Sequence, residues 1–203
     1  AEFEDVEPGH WEVVLGPEAV ATIAIFLGVY GFNGKAVHEG RSFAAPGSQQ
    51  FDPSFNLVDD PFDPRSLSLP FDPEGTPKRR LDLVTDGVTQ AVVHDRRSAG
   101  QAGTESTGHG GFAASIGPIP TSMVVGAGTT PREDLVAGVE RGLLITEFNY
   151  RRILDPRSQV VTGLTRNGTF LIEDGEVTGA VGNLRFTQSF LEALGDGQIL
   201  GVG

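Results

Sequence analysis

Histidine is the side chain that most directly binds a metal or moves a proton, and this sequence has four of them. His38-Glu39 begins as a zinc-binding motif would, but Ser42-Phe43 stand where a second histidine is needed. His94-Asp95 ends an apolar run, and His109 lies in a glycine-rich segment. Scattered histidines of this kind usually lie at the surface or form structural hydrogen bonds. We therefore predict no catalytic residue and no metal ligand in this chain.

Residues 94–110 also contain the residue types of two other chemistries. His94-Asp95 with Ser98 or Ser106 has the composition of a Ser-His-Asp triad, but no Gly-x-Ser-x-Gly elbow is present. The loop 103–110 offers backbone N–H groups that can cradle phosphate, but no Gly-Lys-Ser/Thr follows as in a P-loop. The absence of cysteine excludes disulfides and thiolate metal sites.

Turn signals in the second half of the chain predict antiparallel strands. Arg166-Asn167-Gly168 and Asp174-Gly175 lie between runs that alternate apolar and polar residues. These runs are Leu143–Phe148, Gln159–Thr165, Thr169–Glu173 and Glu176–Val181. Since Asn-Gly and Asp-Gly accept the positive φ angles of tight turns, the pattern predicts a meander. It places a hairpin tip at Asn167-Gly168, with positive φ at Gly168.

A nearly continuous apolar run predicts one buried helix near the start of the chain. After a short strand at Trp11–Leu15, Pro17 can occupy the first turn of a helix that extends to Val29. A helix that is apolar on all sides is buried in a core or covered by a partner. We expect the core to contain the side chains Ile23, Ile25, Phe26 and Leu27.

The remaining segments predict short strands, two further helices and one long loop. Residues 44–77 contain three Phe-Asp-Pro tripeptides, each of which is interpreted as a turn with its phenylalanine pointing inward. The other predicted elements are strands at Leu81–Val84 and Val88–Val93 joined by an Asp-Gly turn, a loop at Ser98–Gly111, strands at Phe112–Ile116 and Ser122–Val125, a helix from the capping box Thr130–Glu133 to about Arg141, and a helix at Thr187–Leu194. The predicted fold class is α+β, a mostly antiparallel meander or barrel-like domain with two or three packed helices.

Composition limits the class of protein further. The 203 residues are 38% hydrophobic and 21% charged, which is typical of a globular chain. The net charge is −12, and residues 1–75 carry 13 acidic residues but only three basic ones. Such a surface repels phosphate backbones, so direct binding to nucleic acid is not expected. No apolar run has transmembrane length and no signal peptide opens the chain, so we expect a cytoplasmic protein with no membrane contact.

Several stretches closely resemble the TldD/PmbA family, whose members are known as modulators of DNA gyrase and whose TldD branch consists of metalloproteases. The matching stretches, in family order, are GHWEVVLGPEAV, FDPEGTPKRRLDLVTDGV, HDRRSAGQAGTESTGHG, FNYRRILDPRSQVVTGLTRNGTFLIEDGEV and VGNLRFTQSFLEAL. The resemblance runs from about Pro8 to the end. It implies one C-terminal-type domain over residues 1–203, with 44–77 as a long irregular segment. It also implies a fragment or processed piece, without the family's N-terminal domain.

The resemblance also shows where this chain departs from TldD. TldD-type members carry a His-Glu-three residues-His zinc motif, whose positions, counted back from Gly40-Arg41-Ser42, are Ile25, Phe26 and Tyr30 here. Isoleucine and phenylalanine have no donor atom, and tyrosine is a poor zinc ligand. The late cysteine ligand of the family does not occur in residues 1–203: either the protein lacks it or this sequence ends before it. The chain therefore resembles the PmbA/TldE type, which lacks the motif, and zinc is expected only in a metal-bearing partner subunit.

For function, the resemblance implies a non-metal-binding subunit of a cytoplasmic metalloprotease complex, inactive alone. The implied partners are a TldD-type homologous subunit or a second copy, and an extended peptide substrate that could add to a strand edge. The implied substrate-binding residues are Tyr150, Arg166, Ser106 and His109. The alternatives are a stand-alone peptide- or small-molecule-binding module, and an enzyme whose site the sequence does not reveal.

Overall fold

The protein combines two open β-sheets with short helices, and the computed structural model describes residues 3–66, 69–111 and 113–203. The strands are β1 Glu12–Leu15, β2 Leu57–Asp59, β3 Leu81–Thr85, β4 Val88–Thr89, β5 Met123–Val125, β6 Arg141–Asp155, β7 Val160–Glu173, β8 Glu176–Ala180 and β9 Arg185–Ser189. The helices are α1 Pro17–Phe26, α2 Gly34–His38, α3 Arg96–Ala102, α4 Arg132–Ala137 and α5 Phe190–Ala193, and a π-helical turn, Leu27–Gly31, continues α1.

The first sheet is built around the long hairpin of β6 and β7. Its strand order is β1-β6-β7-β8, and β9 pairs with the N-terminal half of β7, at Val160–Leu164. The second sheet has the order β4-β3-β2-β5. All pairs of named strands are antiparallel except β1 with β6. The α+β class and the mostly antiparallel pairing are confirmed, but neither sheet closes into a barrel, and the helices outnumber the two or three expected.

The hairpin tip predicted at Asn167-Gly168 is wrong, although the positive φ at Gly168 is confirmed at +145°. The dipeptide lies within β7, which is one continuous strand, and Thr146 of β6 stands opposite both residues. β7 therefore has one extra residue at this point, which is a β-bulge with Asn167 at φ +57°. A bulge and a turn need the same tolerance of positive φ, and the local sequence does not distinguish them.

The two Asp-Gly signals do mark hairpins. Asp86-Gly87 joins β3 to β4 with φ angles of +48° and +76°, and Asp174-Gly175 joins β7 to β8 with φ angles of +50° and +79°. Positive φ at both central residues is the geometry that matches the twist of the flanking strands. These two predictions are confirmed.

Several other predicted elements differ from the structure. The loop predicted from Ser98 begins instead as helix α3, because Asp95 and Ser98 form a reciprocal capping box. Conversely, the capping box predicted at Thr130–Glu133 does not form, and α4 starts after Pro131 without a side-chain cap. Residues 113–116 form a turn and not a strand, while Phe112 lies outside the described residues. The predicted helix at Thr187–Leu194 is the end of β9 followed by the single turn of α5.

The segment 44–77 is less irregular than predicted, since it contains the strand β2. Its three Phe-Asp-Pro tripeptides share one feature, in which the aspartate side chain accepts a hydrogen bond from the backbone N–H two residues later. Phe51 is buried as predicted, but Phe62 and Phe71 are exposed. The repeated unit is therefore an Asp-Pro turn, and the inward phenylalanine is not part of it.

One hydrophobic core joins α1 to both sheets. It contains Ile23 and Leu27 of the helical segment, Ile145 and Leu171 of the first sheet, and Leu83 of the second. A smaller cluster of Val139, Leu144 and Ile172 lies on the other face of the first sheet, beneath α4. None of the helices in the described ranges is long and apolar enough to cross a membrane.

The β3–β4 turn gives a test of this packing. Gly87 and Gly75 have nearly equal φ angles, but a Cβ at Gly87 would lie 2.3 Å from the carbonyl oxygen of Phe51, whereas one at Gly75 would meet nothing within 4 Å. We expect Gly75→Ala to lower the free energy of unfolding by about 1–2 kcal/mol through φ strain. Gly87→Ala adds a backbone clash, and its expected loss is about 3 kcal/mol or more. Urea denaturation measures both, and equal losses would contradict the described packing.

Candidate functional site

The three positions implied by the zinc-motif resemblance lie together on the outer side of the α1 segment. Ile25 is 53% exposed, and Phe26 and Tyr30 are half-buried with ring centroids 5.7 Å apart. Phe26 also meets Phe190 edge-on at 6.0 Å. We call the outward group of Ile25, Phe26 and Tyr30 the α1 patch. Its chemistry is apolar apart from one phenol, and these residues do not fit a zinc ion.

The prediction that Ile25 lies in the core is wrong, and that for Phe26 holds only in part. Ile23 and Leu27 are buried as predicted, because this side of the helix packs against β6 and the core. Within the described residues, Ile25 on the other side of α1 is exposed, and Phe26 is half-buried against Phe190. The other side presents apolar surface at the positions where the resemblance implies metal ligands in TldD-type proteins.

No group of three or more His, Cys, Asp or Glu residues within the described ranges is arranged to hold a metal ion. The side chains of the α1 patch likewise offer only the Tyr30 phenol as a possible metal donor.

His109 belongs to a buried ionic cluster that the sequence did not reveal. Its Nε2 atom lies 2.7 Å from Oδ2 of Asp59, and its Nδ1 atom lies 2.9 Å from the hydroxyl of Thr107. The Lys78 ammonium lies 3.7 Å from the same carboxylate and contacts the Thr121 hydroxyl. The side chains of Asp59, Lys78 and His109 are almost inaccessible to water. The imidazole is therefore not open to a ligand in this structure.

The cluster joins four separate segments. Asp59 ends β2, Lys78 precedes β3, His109 lies in the loop after α3, and the Ser122 backbone N–H donates to Asp59 Oδ1 at 2.7 Å. Burial alone would raise the pKa of Asp59, but the His109 contact, the Ser122 N–H and Lys78 together hold that pKa below its ordinary value. Burial lowers the pKa of Lys78 against the attraction of Asp59. The arrangement fixes loops in place and leaves no group free for catalysis.

The candidate triad at residues 94–106 is not assembled as a triad. The His94 ring approaches the Ser98 hydroxyl at 3.2 Å, but Ser98 is buried and its backbone N–H donates to the Asp95 carboxylate as a helix cap. Ser106 donates its hydroxyl to the His94 carbonyl oxygen. These side chains close the start of α3 and its following loop. Burial also lowers the pKa of His94.

Tyr150 and Arg166 lie elsewhere, on the β6–β7 hairpin. Tyr150 is 75% exposed and has a φ of +46°, which is unusual for a bulky residue. It occupies a second bulge, on β6, where the Asn149 side chain accepts its backbone N–H at 2.7 Å. Arg166 is exposed and pairs across the strands with Glu147. The four predicted binding residues thus form two pairs on different elements, and only Tyr150 and Arg166 are open to solvent.

A small polar cleft of about 150 Å³ lies beside α3. Its lining includes Lys35, Glu74, Asp95, Arg97, Ser98 and Gln101. Lys35 is already committed, because its ammonium donates to the Ser115 carbonyl oxygen and lies 3.7 Å from Glu39. The cleft is therefore a secondary candidate.

The chain is an open, two-sheet α+β domain in which Ile25, Phe26 and Tyr30 offer a phenol as their one possible metal donor. Residues 8–203 match the family described as the PmbA/TldA metallopeptidase C-terminal domain, and the chain belongs to this family.

Among curated relatives, it is 29% identical over 152 residues to a metalloprotease TldD homolog of Haemophilus influenzae, covering 73% of this chain and 31% of that protein. It is 25% identical over 130 residues to a metalloprotease TldD homolog of Buchnera aphidicola subsp. Acyrthosiphon pisum, covering 63% and 26%. The chain thus spans about a third or less of the curated relatives' length.

Two solved structures share the fold. TldE from Thermococcus kodakarensis is 29% identical, with a TM-score of 0.78, and the match covers 90% of this chain and 42% of that one. A candidate modulator of a DNA gyrase from Thermotoga maritima MSB8 is 24% identical, with a TM-score of 0.87, and the match covers 99% and 46%. The second likeness describes the fold alone, and this chain spans less than half of either structure.

Two substitutions on α1 test the exposure of its outer side. Ile25→Asp places a carboxylate in water, so we expect the free energy of unfolding to stay within about 1 kcal/mol of the parent. Ile23→Asp places the same group in the core, and the expected loss is about 4 kcal/mol or a failure to fold. Chemical denaturation with circular dichroism distinguishes the two, and a severe loss from Ile25→Asp would refute the exposed patch.

The buried cluster predicts a dependence of stability on acid. Because the pKa of Asp59 is lower folded than unfolded, its contribution is complete above the unfolded pKa of about 3.9 and is lost as pH falls through the folded pKa. We expect the stability of the parent to decline below about pH 4, and Asp59→Asn to decline less steeply there. At pH 7, Asp59→Asn leaves Lys78 without its counter-charge, with an expected loss of about 3–5 kcal/mol.

The control for this measurement is Asp82→Asn, which removes an exposed carboxylate that pairs with Arg80 at the surface. We expect little change from this control. Identical acid profiles for the parent and Asp59→Asn, in denaturation series from pH 2 to 7, would show that other groups govern the loss.

Proposed function

We propose that this chain is part of the non-metal-binding subunit of a cytoplasmic metalloprotease complex that degrades or processes peptides. The observation that carries the proposal is the α1 patch, where two of the three implied ligand positions, Ile25 and Phe26, have no donor atom. Zinc hydrolysis needs at least three protein ligands and a base near the bound water. A chain with this patch contributes to cleavage only beside a subunit that supplies the metal.

The names of the relatives support the direction of this proposal. The curated relatives are named as metalloprotease TldD homologs, and one solved relative is named TldE. The apolar α1 patch also fits contact with another protein surface, because adjacent exposed apolar side chains are commonly found at interfaces. We take a TldD-type homologous subunit as the primary partner and a second copy of this chain as the alternative.

For the substrate, we propose that an extended peptide contacts the β6–β7 hairpin near Tyr150 and Arg166. A bulky residue at positive φ is retained where its neighbours over-determine it, and such residues cluster at binding sites. The bulge presents the Tyr150 ring to solvent beside the outer half of β6, whose pairing with β1 ends at Ile145. A peptide strand can add hydrogen bonds along such an edge. Ser106 and His109, which hold the loop after α3 in place, would contribute as a separate contact region.

A stand-alone peptide-binding module is the second candidate function. The exposed Tyr150 and Arg166 favour it, since both are presented by this chain without help from a partner. A pull-down from native extract separates the two functions. Recovery of a homologue with an intact His-Glu-x-x-x-His motif supports the complex, whereas repeated recovery of peptides without any homologue supports the module.

Elemental analysis and a peptidase assay test the proposed complex directly. The purified chain is expected to retain no stoichiometric zinc and to leave peptides uncut, because its implied motif positions offer no paired imidazoles. Mixed with a TldD-type homologue, it is expected to raise chelator-sensitive cleavage. Ile25→Asp, which leaves the fold intact, is the variant that should weaken this effect. Stoichiometric zinc with chelator-sensitive cleavage by this chain alone would refute the proposal.

A further inference from the structure

The outer face of the β6–β7–β9 sheet carries three arginines in a regular arrangement. Arg152 lies on β6, Arg166 on β7 and Arg185 on β9, and all three are exposed. We call this surface, together with Thr162 and Thr187 between them, the arginine face. α4 covers a different part of the sheet, at Leu144 and Ile172.

Strand register places these side chains on one face. Arg152 pairs with Thr162, which also pairs with Thr187 of β9. Leu164, two residues further along β7, pairs with Arg185, and Arg166 is two residues beyond Leu164. Directly opposed residues and alternate residues share a face in an antiparallel sheet. The opposite face holds Phe148 and Val161, which are buried in the main core.

The same register gives the spacing of the positive charges. Arg152, Arg185 and Arg166 stand at successive two-residue levels along the strand axis, which is about 6.8 Å per step. They lie on three adjacent strands about 4.8 Å apart. An extended peptide that lies over the face has alternate side chains at this same axial spacing, so its positions i, i+2 and i+4 can each meet one guanidinium.

These guanidinium groups are not used by the fold. Within the described residues, none of the three arginines has an ion pair or a side-chain hydrogen bond. Glu147, the cross-strand neighbour of Arg166, directs a carboxylate oxygen to the Asn167 amide instead. The face therefore carries three arginines beside the carboxylate of Glu147, in a chain whose net charge is −12. Because the net charge of the chain is negative, its overall composition does not account for this local excess of positive charge.

We propose that the arginine face binds an acidic, extended polypeptide segment with Asp or Glu at alternate positions. This inference rests on the proposed function and names the substrate class for the same hairpin. Guanidinium groups bind carboxylates through paired hydrogen bonds, and the exposed Tyr150 supplies an aromatic surface at the rim. Nucleic acid fits less well, because a long polyanion would extend from the three arginines onto acidic surface. At physiological salt the attraction of the arginines is screened beyond about 8 Å and would not offset that repulsion.

The test measures binding of labelled ten-residue peptides to the 203-residue chain by fluorescence anisotropy. The first peptide carries Glu at alternate positions, the second clusters the same Glu residues, and the third replaces them with Gln. We expect the alternating peptide to bind best and the Gln peptide at least tenfold more weakly, with binding reduced between 50 and 300 mM salt. A single-stranded oligonucleotide of equal charge serves as the phosphate probe.

Variants locate the binding surface. Arg152→Gln, Arg166→Gln and Arg185→Gln should each weaken the alternating peptide about 2- to 5-fold, and the triple variant at least tenfold. The matched control Arg132→Gln changes the same charge on α4, away from the face, and should change affinity less than 2-fold. Arginine-to-lysine variants keep the charge but lose the paired hydrogen bonds. Their affinities for the alternating peptide should lie between those of the parent and the glutamine variants. Circular dichroism verifies that each variant is folded.

Three outcomes would overturn the proposal. They are equal affinity for the Glu and Gln peptides, an Arg132→Gln effect as large as those on the face, and tighter binding of the oligonucleotide through the same arginines. Self-association that the triple variant abolishes, without peptide binding, would assign the face to a second copy. The binding assay needs no partner subunit, so its result can be interpreted even if the proposed protease complex is not found. If the chain stimulates cleavage by a TldD-type homologue but does not bind acidic peptides, the proposed substrate class is wrong and the proposed function is not.

Discussion

Antiparallel pairing between β6 and β7 supplies the backbone hydrogen bonds around which the first sheet is assembled. β1 and β8 join one half of this hairpin, and β9 joins the other half. Side chains from both halves of the hairpin enter the core shared with α1 and the second sheet. In the half that pairs with β1 and β8, Leu144 and Ile172 lie beneath α4, whereas Arg152 and Arg166 in the other half are exposed. The pairing thus determines both where the core lies and which surface is available for binding.

The hairpin is long enough that its register cannot stay regular. One extra residue on β7, at Asn167-Gly168, and one on β6, at Tyr150, lie within a few residues of each other. Bulges on opposite strands increase twist and turn side chains outward without ending the pairing. The exposed tyrosine and the arginine face both lie in this irregular part of the hairpin.

Local turn chemistry could be predicted from the sequence, but non-local pairing could not. Asp86-Gly87 and Asp174-Gly175 gave correct hairpins because two residues suffice for a tight turn. Asn167-Gly168 carries the same signal, and its outcome depends on β6 continuing on the opposite side. The ionic cluster was beyond sequence reasoning for a related reason. Asp59 and His109 are 50 residues apart and share no motif, so only the folded chain brings them together.

The α1 patch shows how one helical side can be changed while the fold is kept. The inner residues Ile23 and Leu27 are constrained by the core, so that side of the helix tolerates little variation. On the other side, Ile25 is exposed, while Phe26 and Tyr30 are half-buried and Phe26 packs against Phe190. Exchanging a donor side chain for an apolar one at Ile25 therefore costs the fold little. Such an exchange removes metal chemistry and adds apolar surface in one step. A subunit that has lost zinc ligands in this way gains a surface suited to contact with another protein, which is the physical reason that donor loss and pairing are expected together.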